Sequence, residues 1–225
     1  MLAIVAFASG SAYLTRYCIS AANTTIQHDL GFSDPQMGQL MGAFGLGYFL
    51  CQVPGGWLGN RVGTRFAFAF LSVAWSLSNV CTAISSLFNV LWASRLSLGM
   101  FQAGLVPLSA KVLKDWIPIR SRGLSSALIT ASMSIGGAST MWLTGWLLKC
   151  DFAWRAIFAA YSLVGIVWAS GFSWYFRTLP EEHQSVNAGE LALIRESDQS
   201  RHAKRNSTVI EQVGAEDARL QATSR

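Results

Sequence analysis

Apolar residues fill the first four-fifths of the chain in long runs, and short polar stretches divide them. Six runs stand out, at 2–26, 36–58, 66–87, 88–110, 123–148 and 155–176. Each is long enough for the ~20 residues that carry an α-helix across a bilayer core. The connections are short, and turn-forming residues mark several of them. Examples are Gly31-Phe32-Ser33-Asp34-Pro35, Gly59-Asn60-Arg61-Val62-Gly63 and Lys114-Asp115-Trp116-Ile117-Pro118. The faintest break lies at Ser85-Ser86. A single helix through it would be about 65 Å long, so two spans are expected there. The pattern predicts an all-α membrane protein with six transmembrane helices over residues 1–177. A polar segment follows over 178–225.

Composition sharpens this. The 225 residues are 52% hydrophobic and only 13% charged, against about a quarter charged in a soluble domain. Residues 1–177 hold eleven Lys/Arg and four Asp/Glu, so the apolar part is poorer in charge than the average. A soluble core cannot hide so much apolar chain. That excludes most soluble enzymes and nucleic-acid binders. The net charge of +5 resides in short connections, which is a topology signal. Connections 2–3 and 4–5 and the exit of segment 6 carry Arg61, Arg65, Lys111, Lys114, Arg120, Arg122 and Arg177. The alternate connections carry Lys149 and Arg155. The positive-inside rule then places both termini in the cytoplasm, and an integral multi-pass protein of the plasma membrane is expected.

Three of the four cysteines (Cys18, Cys51, Cys81 and Cys150) lie inside apolar runs, without CxxC spacing, so no metal or redox centre is expected. His28, His183 and His202 lie outside the spans, and no HExxH, GxSxG or P-loop pattern occurs. No cofactor and no enzymatic activity are expected. Segment 2 carries Gly38, Gly42, Gly45, Gly47, Gly55 and Gly56, and segment 5 carries Ser132, Ser134, Gly136, Gly137 and Ala138. The Gly38/Gly42 pair reads as a small-xxx-small contact for close helix packing.

Ionisable residues inside apolar spans are expensive, and they mark function. Two occur, Arg16 and Arg95. Arg16 sits about 22 Å along an outward-running helix, and Arg95 about 10 Å along an inward-running one. Both fall at similar depth, outward of the midplane, with no acidic residue in any span. The expectation is a water-filled cavity that binds an anion, because the arginine fork suits carboxylate or phosphate. Gln102 shares a helical face with Arg95, with Gly99 between them. Tyr13 lies one turn before Arg16, and Tyr48 lies one turn before Gln52. These polar residues are candidates for the same cavity.

Those residues resemble the major facilitator superfamily, and within it the anion:cation symporter family. The stretch Gly56-Trp57-Leu58-Gly59-Asn60-Arg61-Val62-Gly63-Thr64-Arg65 is similar to the superfamily signature between helices 2 and 3. Arg95-Leu96-Ser97-Leu98-Gly99-Met100-Phe101-Gln102-Ala103 resembles the family's R-x-x-x-G-x-x-E-A pattern in helix 4. Trp116-Ile117-Pro118, Trp154-Arg155 and Pro180-Glu181-Glu182-His183 fit as well. The resemblance implies the N-terminal half of a twelve-helix fold, built as two inverted three-helix repeats. In it segments 1 and 4 take equivalent places. It implies secondary transport of organic anions such as sugar acids or other carboxylates. Arg16 would grip the substrate carboxylate beside Tyr13, Tyr48 and Gln52. Arg95, Gln102 and Thr15 would form the coupling network. Gly56, Asn60, Arg61, Gly63 and Arg65 would form the gating motif.

Three positions depart from the family. Thr15 and Gln102 stand where Asp and Glu are usual, and neither titrates near neutral pH. Asn60 stands where the signature has Asp. Proton coupling is therefore not expected of these positions. A six-helix half leaves the central cavity open on one side. Three assemblies fit that: a fragment, a pair with a separately encoded half, or a homodimer. The partners expected are a small organic anion and the lipid bilayer, with no nucleic acid. An organophosphate exchanger half is the nearest alternative. A non-transporting membrane sensor or scaffold is the competing class.

Overall fold

The computed structural model describes residues 2–176, and every regular element among them is helical. The polar segment expected over 178–225, and Arg177 before it, lie outside the described residues. Eight helices follow in order: α1 (Leu2–Ala21), α2 (Asn23–Leu30), α3 (Asp34–Arg61), α4 (Thr64–Ile84), α5 (Phe88–Gln102), α6 (Leu105–Trp116), α7 (Ile119–Lys149) and α8 (Trp154–Tyr175).

Two apolar runs are each divided in two. Run 2–26 becomes α1 and α2, which meet at Ala22 and extend to Leu30. Run 88–110 becomes α5 and α6, which meet at Ala103-Gly104 and extend to Trp116. The faint break at Ser85-Ser86 is real: α4 ends at Ile84, and Ser85 is extended at ψ 152°. Helix ends follow local chemistry. Gly31 closes α2 in the left-handed region at φ 65°. Gln36 reaches back to the Ser33 N–H at 2.9 Å and starts α3 together with Pro35. Gly63 turns α3 into α4 at φ 84°.

By length and composition four stretches can cross a bilayer: Leu2–Ala21, Thr64–Ile84, Phe88–Trp116 and Trp154–Tyr175. α3 and α7 are longer, at 28 and 31 residues. Glycine, serine, threonine and polar ends dilute their apolar character.

α1 packs on α7 and α8, α5 packs on α3 and α4, and α4 packs on α8. Glycines bring two of these pairs into backbone contact. A Cβ at Gly99 of α5 would overlap the Phe44 carbonyl oxygen of α3. A Cβ at Gly47 of α3 would overlap the Leu96 carbonyl oxygen of α5. A Cβ at Gly136 of α7 would stand 2.5 Å from the Gly10 carbonyl oxygen of α1. Gly55 and Gly104 meet in the same way, at 2.7 Å. The expected Gly38/Gly42 contact does not form. Neither residue has anything within 4 Å of an added Cβ. The close-packing face of α3 lies instead along Gly47, Gly55 and Gly59, because that face is turned to α5 and α6.

The core consists of two apolar clusters with a polar layer between them. One gathers Ala12, Leu98, Trp75, Trp168 and Phe172. The other gathers Cys18, Leu91, Ala83, Phe158 and Tyr161. Between them in sequence on their helices lie Thr15, Arg95, Asn79 and Ser162, all buried.

Gly99→Ala is expected to lower stability by about 1–3 kcal/mol, the usual cost of overpacking. Gly42→Ala is expected to be neutral or slightly stabilising. Thermal unfolding in detergent, followed by tryptophan fluorescence, compares the two.

Candidate functional site

α1 carries the chemistry on two faces. Thr15 and Arg16 are neighbours in sequence, so their side chains leave the helix about 100° apart. Arg16 turns towards α3, and Thr15 turns towards α5.

On the first face the Arg16 guanidinium sits in a box of four aromatic rings. Its carbon lies 5.2 Å from the Tyr13 ring, 6.0 Å from Tyr17, 4.7 Å from Phe44 and 5.2 Å from Tyr48. Tyr13 and Tyr17 are 5.6 Å apart, and Phe44 and Tyr48 are stacked at 5.9 Å. Gly137 of α7 lies against Tyr13 and Tyr17, where a Cβ would be 3.4 Å from each ring. Ring faces attract the cation without consuming its N–H groups. The guanidinium meets no carboxylate among the described residues, and an arginine fork suits a carboxylate or phosphate. Arg16 is half-buried, and Gln52 lies exposed one turn beyond Tyr48. The structure therefore gathers Arg16, Tyr13 and Tyr48 and leaves Gln52 at the margin. Sequence reasoning misses Tyr17 and Phe44. Phe44 lies one turn before Tyr48, and that spacing is a signal that could have found it.

On the second face Arg95 is 1% exposed. Its Nη1 donates to the Thr15 carbonyl at 3.2 Å. Gln102 Nε2 donates to the Ala12 carbonyl at 3.0 Å and to the Thr15 hydroxyl at 2.9 Å. That hydroxyl donates in turn to Ala12 O at 2.9 Å. The network continues across the polar layer. Asn79 Nδ2 donates to Phe158 O at 2.9 Å and to Ser162 Oγ at 3.0 Å, and the Cys18 thiol donates to Asn79 Oδ1 at 3.8 Å. Thr82 and Ser94 share a hydroxyl contact of 2.8 Å. A search of the spans for ionisable residues alone passes over Asn79.

The expected similar depth of the two arginines agrees with the Arg95 bond to Thr15. Their expected sharing of one cavity is corrected. Arg95 and Gln102 are sealed between α1 and α5, while Arg16 faces the aromatic box. The four acidic residues among the described ones (Asp29, Asp34, Asp115 and Asp151) all lie at helix ends or in turns. Among the described residues neither arginine has an acidic partner within its helix packing. The described residues hold no group of three or more His, Cys, Asp or Glu able to bind a metal.

The glycine-rich motif after α3 is spread over several contacts. Gly56 faces Pro107 of α6, where a Cβ would be 3.1 Å away. Asn60 and Arg61 are exposed, and Arg61 lies 4.5 Å from the Trp57 ring. Gly63 makes the turn. Arg65 donates from Nε to the Ser173 carbonyl at 2.9 Å, and its Nη2 bonds the same oxygen. Arg65 thereby fastens the start of α4 to the last turn of α8.

The chain is similar to known proteins along most of its length. The model of the Major Facilitator Superfamily matches residues 5–215. The chain is 31% identical over 192 residues to the "Probable galactarate/D-glucarate transporter GudP" of Bacillus subtilis, covering 82% of this chain and 41% of that protein. It is 32% identical over 189 residues to the "Probable L-galactonate transporter" of Escherichia coli, covering 84% and 41%. It is 28% identical over 195 residues to the "Probable sulfoacetate transporter SauU" of Cupriavidus necator, covering 86% and 45%. A crystal structure of a bacterial homolog of the human lysosomal transporter Spinster, inward-facing and unoccupied, superimposes with a TM-score of 0.72 at 20% identity. The superposition covers 83% of this chain and 44% of that one. The chain spans less than half the length of these relatives.

The burial difference has a direct consequence. Cys51, Cys81 and Cys150 are first replaced by Ser. Arg16→Cys is then expected to react with a negatively charged methanethiosulfonate, and Arg95→Cys to resist it by at least about tenfold, as access controls thiol chemistry. Mass spectrometry of the labelled protein reads both.

Proposed function

The chain belongs to the major facilitator superfamily, and we propose that it is one six-helix half of a secondary transporter for organic anions, with Arg16 as the substrate-binding cation. The single observation that carries this is Arg16 in its aromatic box. A half-buried guanidinium that lies over ring faces and meets no carboxylate among the described residues is suited to an external anion. The names of the relatives, for galactarate, D-glucarate, L-galactonate and sulfoacetate, agree in substrate class. All are carboxylates, and most are sugar acids. Tyr13, Tyr48 and Gln52 would complete the near side of the site.

The six-span reading takes α1 with α2 as the first span and α5 with α6 as the fourth, with α3 and α7 as the second and fifth. Its support is the packing scheme. α1 meets α7 as α5 meets α3, and α1 meets α8 as α5 meets α4. The glycine contacts agree. The spacing from Gly10 to Gly99 equals the spacing from Gly47 to Gly136. This is the pattern of two three-helix repeats of inverted topology. With the basic connections inside, the ends of α2 and α7 and the α4–α5 turn face outward. A second six-helix unit would close the far side of the cavity.

The coupling positions set the type of transport. Thr15, Arg95 and Gln102 form a buried network without a titratable carboxylate. We assign this half a fixed positive charge through the cycle, so these residues would not couple uptake to protons. Exchange or uniport fits that arrangement.

Two outcomes test the reading in vesicles carrying the complete transporter. Arg16→Gln is expected to weaken galactarate binding by at least about thirtyfold, matching the ~2 kcal/mol or more lost with a charge partner. Undiminished binding would remove Arg16 from the site. Gln102→Glu is expected to introduce pH dependence into uptake. The introduced carboxylate neutralises Arg95 when ionised and does not when protonated. Identical pH profiles in the two forms would overturn the network role.

A further inference from the structure

At the end of the bundle remote from the Gly63 turn, three connections converge on Arg155. Its Nη2 donates to Ser86 Oγ at 2.9 Å and its Nη1 to the Ser85 carbonyl at 3.4 Å, both in the α4–α5 turn. Its guanidinium carbon lies 4.2 Å from the Trp154 ring. The same guanidinium stands 3.8 Å from Asp29 Oδ2, near the end of α2. Asp29 Oδ2 also accepts the Trp154 indole N–H at 2.9 Å. Trp154 is 4% exposed, so its ring is fixed in the core and gives the cluster a rigid base. An open basin of about 620 Å³ borders the cluster, lined among others by Thr24, His28, Asp29 and Arg155.

The position of Asp29 gives this cluster its meaning. α2 continues α1 past the irregular residue Ala22, where ψ is 10° and no side chain caps the new helix. The two helices are joined by backbone bonds from Ala22 N to Cys18 O at 3.0 Å and from Ile26 N to Ala22 O at 2.9 Å. A pull on α2 therefore moves α1, and α1 carries Arg16. Along its middle α1 rests on Gly136, through Gly10, and on the polar layer at Ala12 and Thr15. The far end is tied to α8 and the α4–α5 turn through Asp29 and the apolar cluster that holds Ile26.

We propose that Arg155 is a positioning residue, which with Asp29 and Trp154 clamps the α1–α2 rod to α8 and the α4–α5 turn and so sets where Arg16 stands in the aromatic box. The clamp is a property of this half and needs no second unit. Its effect on transport rests on the function proposed above. Arg is required over Lys, because the one side chain must reach the Asp29 carboxylate and two serines while lying over a ring.

The test reads both levels. Tyr17→Cys, in a protein with Cys51, Cys81 and Cys150 replaced by Ser, reports the box through its rate of reaction with a negatively charged methanethiosulfonate. Hydrogen exchange by mass spectrometry reports α2. Arg155→Ala is expected to speed exchange over residues 23–30 and 85–87 and to leave α3 unchanged. It should also alter the Tyr17→Cys reaction rate by about tenfold, since exposure and nearby positive charge control thiol chemistry. Arg155→Lys should show the same changes more weakly. If Arg155→Ala does not fold, Asp29→Asn serves instead. It keeps the acceptor for Trp154 and loses only the ion pair, so a smaller change in the same direction is expected. Faster exchange in α2 with an unchanged rate at residue 17 would overturn the positioning role and leave a merely structural clamp. Unchanged exchange would overturn the clamp itself. Galactarate uptake separates the readings: a raised KM supports both, and a parent that takes up no galactarate counts against the transport reading alone.

Discussion

A guanidinium sealed inside an apolar helix bundle needs acceptors; Arg95 Nη1 finds one on the backbone of α1, while its Nε and Nη2 have no hydrogen-bond partner among the described residues. A layer of polar side chains surrounds that bond. The Thr15 carbonyl accepts from Arg95, the Thr15 hydroxyl and the Ala12 carbonyl accept from Gln102, and the polar layer extends to Asn79 and Ser162. An apolar cluster seals each side of the layer. Individual hydrogen bonds in membranes are modest, averaging about 0.6 kcal/mol. Their value here is positional. Polar groups that have no water to turn to hold α1, α4, α5 and α8 in one register, and a slip along any helix would strand several of them at once.

The glycine contacts solve the complementary problem. In lipid there is no hydrophobic drive to press one helix on another, so close packing has to supply the adhesion. Gly47 with Gly99, and Gly10 with Gly136, let backbones touch. The first pair brings α3 close enough for Phe44 and Tyr48 to reach Arg16. The second brings α7 against α1, so that Gly137 can back the two tyrosines. The aromatic box is thus a product of backbone approach, and Phe44 and Tyr48 would not reach the guanidinium if bulkier side chains held the helices apart.

The helical runs and the placing of Arg16 and Arg95 inside them are legible in the sequence because apolar runs and isolated charges are strong one-dimensional signals. The repeat relation is legible only through motif resemblance, since no short spacing carries it. Which face of α3 packs is not legible. Gly38/Gly42 and Gly47/Gly55/Gly59 look alike in sequence, and only the direction of α5 separates them. The opposite exposures of Arg16 and Arg95 are also out of reach. Both are single cations at one depth, and the difference comes from a rotation of about 100° between Thr15 and Arg16 on α1. Equal depth does not make the two arginines repeat partners, although it invites that reading. An inverted repeat mirrors depth across the midplane, so equal depth argues against equivalence. Leu105, at the glycine spacing from Arg16, is the partner that the packing gives.

That asymmetry bears on how the two faces of α1 work together. An alternating-access carrier needs one group that meets substrate and another that lets the bundle change state without leaving charge stranded. Where the second group is a carboxylate beside an arginine, a proton carries out that neutralisation. Here Arg95 donates to the Thr15 carbonyl and Gln102 bonds Thr15 and Ala12, so among the described residues no carboxylate joins the network. On the function proposed above, the cation's charge would stay constant, and the anion that changes the balance on α1 would be one that binds at Arg16. Substrate itself would then be the species whose arrival alters the energy of moving the half. A carrier built this way would favour movement when loaded, which is the behaviour of an exchanger, and it would need α1 to transmit the event as a rigid rod. The polar layer at one point and the Asp29–Arg155 contact at another supply two fixed supports along that rod.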